Sequence, residues 1–84
     1  MNLNSATERL NSLGYHKSTA APFVDGNMTI IDFQKGRKGL GMVSLYVNQY
    51  GSVEYAEKTA IKWDSRQKRN VPDVSRVYNL DQLR

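Results

Sequence analysis

The sequence predicts an α+β domain in which a short N-terminal helix packs on a mostly antiparallel sheet of three to five strands. Three observations carry this. Residues 5–13 open on a capping box and carry an apolar stripe too narrow to stand alone. From residue 23 onward, short apolar runs follow the two-residue period of strands and are separated by glycine-containing turns. The 84 residues show no repeat, linker or low-complexity tract, so one domain is expected.

The helix comes first. The Ser5 hydroxyl can accept from the Glu8 amide while the Glu8 side chain reaches back, and Ala6, Leu10 and Leu13 recur at helical spacing. Gly14 sits where a left-handed residue would end the helix, and Tyr15 would pack back onto Leu10. In "FVDGNMTIIDF", Asp25-Gly26 or Gly26-Asn27 can form a tight turn between Phe23-Val24 and residues 28–34. Pro22 marks the first arm as an edge strand or barely a strand. In residues 28–34, Met28, Ile30 and Asp32 share one face, and Thr29, Ile31 and Phe33 the other.

"GMVSLYVN" predicts a strand with Val43, Leu45 and Val47 on one face and Met42, Ser44 and Tyr46 on the other. The turn "NQYGS" follows. "SVEYAEKTAIKW" reads two ways. It is a strand pairing back on residues 42–48, or a helix capped by Ser52 with Glu54 placed to meet Lys58. Tyr55, Thr59, Ile61 and Trp63 tip the reading toward strand. "DSRQKRNVPD" is expected to be a polar loop, because Val71-Pro72 discourages helix. "VSRVYNL" predicts a last strand and "DQLR" a frayed end.

Composition narrows the chemistry. Cysteine is absent and His16 is the single histidine, so thiolate and His-rich metal sites are excluded. No secretory leader or run of roughly 20 apolar residues is visible, so a cytoplasmic protein without membrane association is expected. Charge is uneven. Residues 35–69 hold eight cations against three acids, giving +5, while residues 1–34 total −1 and residues 70–84 are neutral. Such asymmetry points to a polyanionic partner.

The candidate binding residues lie in two basic loops and one turn. "QKGRKGLGMV" carries Lys35, Arg37 and Lys38 among three glycines. Its spacing is neither that of a phosphate-binding P-loop nor of a dinucleotide fingerprint, and the next segment is strand-like rather than helical. Gly36 to Gly39 matches the GxxG spacing of the KH nucleic-acid-binding module. There the loop joins two helices, whereas strand-like runs flank this one, so the match is of spacing alone. Two readings remain: a hairpin loop kept soluble by its charges, which is the commoner case, and a loop that grips phosphate. "DSRQKRN" adds Arg66, Lys68 and Arg69, which would share a sheet end with residues 35–41 if residues 42–48 and 53–63 form a hairpin.

Tyr46, Tyr50, Tyr55 and Trp63 are the aromatics that could stack on unpaired bases. Trp63 is expected in the core and Tyr50, beside Gly51, at the surface. His16-Lys17-Ser18-Thr19 holds groups able to cleave RNA by acid–base chemistry. No paired carboxylates or nucleophile–base spacing accompany it, and the chain is not expected to be an enzyme. No cofactor is implied. The expected function is a small non-enzymatic binding protein whose basic loops dock on nucleic acid or a nucleic-acid-handling complex. The alternative is a compact inhibitor or adaptor that grips an acidic protein surface, of the kind phage proteins use against host defence or transcription machinery.

Overall fold

The computed structural model describes residues 1–36 and 41–82. Helix α1 spans Leu3–Ser12, and six strands follow: β1 Tyr15–Lys17, β2 Phe23–Asp25, β3 Met28–Lys35, β4 Gly41–Val47, β5 Val53–Asp64 and β6 Arg69–Val77, before a closing 3-10 turn at Leu80–Gln82. All the pairings are antiparallel, in the order β1-β3-β4-β5-β6, with β2 also on the outer edge of β3. The α+β class stands. The sheet has six strands rather than three to five, because the edge beside β3 is built from two short pieces. β1 pairs with residues 33–35 and β2 with residues 28–30.

The helix begins three residues before the expected capping box. Asn2, not Ser5, is the N-cap: its side chain accepts from the Ser5 amide at 2.7 Å. The reason is tertiary. Asn2 bridges to Ser52, and the Met1 carbonyl accepts from the Val53 amide at 2.7 Å, so the chain leaves the sheet edge extended and turns into helix at Leu3. The other end follows expectation. Gly14 takes a φ of 93°, in the left-handed region that favours glycine, and Tyr15 is buried in the same cluster as Leu10.

Alternation sorts each strand into two faces. Ile31 and Phe33 pair with Leu45 and Val43, and these four with Val47, Val53, Ala56 and Val77 form the floor on which Ala6 and Leu10 pack. Strand β5 is confirmed as strand, with one extra residue, Glu54, where its register against β4 shifts. The two-residue turn Gly26-Asn27 joins β2 to β3, and only Gly26 has a positive φ, 61°. That matches the turn type with glycine at the first central position.

Two expectations fail at the far end of β5. Trp63 is not core: it is 60% exposed. The last β4–β5 pair is Gly41–Ala60, so residues 61–64 have only β6 beside them and no helix above. Residues 69–73 are strand rather than loop, and Pro72 sits in β6 because β6 pairs on one side only.

Asn2→Ala should cost about 1 kcal/mol through loss of the cap. Leu10→Ala should cost roughly 2–5 kcal/mol through a buried cavity. Ser5→Ala should cost clearly less than Asn2→Ala, because its amide rather than its hydroxyl makes the capping bond. Urea unfolding of the three variants reads this order directly.

Candidate functional site

Lys35 ends β3 on the helix side of the sheet, its Nζ 5.5 Å from the Tyr15 ring centroid and its Cε 3.6 Å from where a Gly14 Cβ would lie. Arg37 and Lys38 lie outside the described residues. Arg66 and Lys68 stand in the four-residue turn from β5 to β6, and Arg69 begins β6. The Asp64 carboxylate organises that turn by accepting from the Arg66 amide at 2.9 Å and the Gln67 amide at 3.4 Å. Lys68 takes a φ of 54°, and Arg69 Nε donates to Gln67 Oε1 at 2.7 Å. All four described cationic candidates are solvent-exposed.

The register places Lys35 and the β5–β6 turn at the same end of the sheet. Lys35 pairs with Gly41, Gly41 with Ala60 and Ala60 with Asp73. The β5–β6 hairpin then runs four residues farther, on the order of 13 Å at strand rise. The same register adds two residues that the sequence reading counted as charge but did not assign to the site. Lys58 and Lys62 flank Ala60 on β5 and therefore share the helix-side face. Their four-residue spacing was the available signal, and it became informative only once the segment was known to be strand. Asp64 and Asp73 partly offset this charge. No described ion pair involves Lys35, Lys58, Lys62, Arg66, Lys68 or Arg69.

Tyr50 does not join them. It lies in the β4–β5 turn at the other end of the sheet, 83% exposed, where Asn48 Oδ1 accepts from the amides of Tyr50 and Ser52. The seven residues of β4 span about 23 Å between the two ends.

The other aromatics considered for stacking, Tyr46, Tyr55 and Trp63, occupy the face turned away from α1. Tyr46 and Tyr55 are cross-strand partners, stacked with centroids 4.4 Å apart, and Tyr78 tilts against Tyr55 at 6.2 Å. The Arg76 guanidinium lies over the Tyr55 ring at 4.3 Å and 3.6 Å from Glu57. Glu57 also accepts from the Tyr46 hydroxyl at 3.2 Å, and Asp32 from the Ser44 hydroxyl at 2.6 Å. Trp63 and Ile61 continue this face along β5. The stacked pair Tyr46–Tyr55 and the loop cations thus sit on different surfaces, whereas Trp63 shares the hairpin tip with Lys62 and Arg66, and the aromatic face carries carboxylates. The arrangement gathers cations at one end of the sheet and aromatic side chains on the face away from α1.

Burial, and after it the hydrogen bond to Glu57, pushes the Tyr46 phenol above its ordinary value. The folded state therefore holds this proton more tightly than the unfolded chain. Its contribution to stability is complete below the ordinary tyrosine pKa of about 10 and is lost as pH rises through the folded value. Tyr46→Phe should make the alkaline loss of stability shallower, as measured by urea midpoints at successive pH values from about 9 upward.

Among the described residues, no helix is long and apolar enough to cross a membrane. Comparison with protein-family models, curated proteins and solved structures finds no match to this chain.

Proposed function

We propose that the protein is a non-enzymatic binding module that docks on nucleic acid, or on a nucleic-acid-handling complex, through the cations at one end of its sheet. The observation that carries this reading is the register that brings Lys35, Lys58 and Lys62 onto one face beside the turn bearing Arg66, Lys68 and Arg69. Six cations over that span can neutralise several phosphates and release their counterions, a sequence-independent source of affinity. Arg37 and Lys38 extend the set by sequence. Tyr50, at the other end, is no longer part of it.

A second reading, a compact protein-binding inhibitor or adaptor, draws on a depression of about 330 Å³ at the hairpin tip. Lys62, Trp63, Asp64, Ser65, Arg66 and Val71 line it. Its two cations and apolar wall suit an acidic side chain of a protein partner. Pull-down from lysate with and without nuclease separates the readings: a partner retained after nuclease treatment favours the second.

Replacing Lys58 and Lys62 with Gln should weaken binding to DNA or RNA and flatten the slope of log K against log salt. The flattening should reach about 0.9 per lost contact on duplex, or about 0.7 on single strands. The triple change of Arg66, Lys68 and Arg69 should act in the same direction, as should that of Lys35, Arg37 and Lys38. Folding stability should barely move for the exposed Lys35, Lys62, Arg66, Lys68 and Arg69, because exposed cations contribute little to it, whereas Lys58 is half-buried. Tyr50→Ala should leave affinity unchanged. Absence of any salt-sensitive binding at about 100 mM salt would overturn the nucleic-acid reading.

A further inference from the structure

The face of the sheet away from α1 has no layer of described structure over it. Ile30, Met42, Tyr46, Tyr55, Ile61 and Val74 all lie on it, by strand alternation and register. Ile61 and Val74 are each 55% exposed. We propose that this face is the interface of a homodimer, in which two copies pack sheet on sheet.

Area is the first argument. A compact monomer of 9.6 kDa exposes roughly 5,100 Å² by the scaling of surface with mass. This chain exposes 6090 Å². The excess, on the order of 1,000 Å², is shared between this face and the overhanging β5–β6 hairpin, and a standard interface takes ~800 Å² from each partner. Its radius of gyration, 13.3 Å, likewise exceeds the ~12 Å expected at this length. Much of this extension is sheet with a single covered face. Two such sheets stacked about 10 Å apart would give the interior that one helix cannot provide.

Charge is the second argument, and it selects the occupant. The helix-side end repels a second copy, because each would bring Lys35, Lys58, Lys62 and the hairpin cations. The opposite face holds Arg76 against Glu57, with Asp32 bonded to Ser44 and Asp25 at the β2–β3 tip. Tyr46, Glu57, Arg76, Ser44 and Asp32 have polar partners within the copy, so desolvating these groups leaves few bonds unmade. A polyphosphate chain is disfavoured there, since Arg76, the one central cation among the described residues, is taken by Glu57 and nearby carboxylates repel phosphate. A closed two-fold pairing uses the same patch twice and turns both basic ends outward.

The proposal stands independently of the nucleic-acid reading, whose residues lie on other surfaces. Sedimentation of the full chain from about 1 to 100 μM tests it, a range in which interfaces of this size associate. The expected result is a dimer. Met42→Glu and Val74→Glu should each weaken it about tenfold or more, as hot-spot changes do. Tyr50→Ala should leave it intact. Val74 is already solvent-exposed in the single copy, so circular dichroism of its variant should match wild type and separate lost association from lost folding.

Met42 is diagnostic because β4 is central, and only a face-to-face contact reaches it. A dimer weakened by Val74→Glu but untouched by Met42→Glu would overturn the proposal in favour of pairing along the β6 edge. A chain that stays monomeric across the range overturns it outright.

Discussion

Ten helical residues rise about 15 Å, whereas the twelve residues of β5 extend about 40 Å. One helix therefore cannot cover one face of this sheet, still less two. The molecule depends on how that short cover is placed. Ala6 and Leu10 seat it over Phe33, Val43 and Leu45, and Asn2 with Met1 ties its start to Ser52 and Val53. Each other notable feature is a surface that the helix leaves uncovered.

Beyond its reach the helix-side face turns polar, and Lys58 and Lys62 replace the Val and Ala positions nearer the core. Past Gly41 the hairpin of β5 and β6 continues without β4, so even Trp63 stays in solvent. The concentration of cations at this end follows from the same geometry. Strand residues without a covering layer must be tolerated by water, and lysine and arginine are tolerated while keeping their stems along the sheet.

The opposite face meets the problem differently. Its large side chains shelter one another: Tyr46 stacks on Tyr55, Arg76 covers Tyr55, and Glu57 joins Tyr46 to Arg76. Cross-strand pairs of this kind contribute roughly 0.2–1 kcal/mol each. They hold a largely neutral surface in one conformation.

The apolar alternation of "MTIIDF" and "GMVSLYV" and the glycines at 14 and 26 are local signals, because backbone geometry acts over neighbouring residues. They determined the helix end, the first hairpin and the two central strands. The strand identity of residues 53–63 stayed open, since Ala and Glu favour helix while β-branched and aromatic residues favour strand. Pairing on both sides decided it. Asn2 displaced Ser5 as the cap because of a bridge to a residue 50 positions away, and Trp63 left the core because its strand outruns its neighbour. The partition of the site was equally beyond local reading. Lys58 and Lys62 join Lys35, and Tyr50 leaves it, only through register, which is a relation between distant segments and is written in neither of them alone.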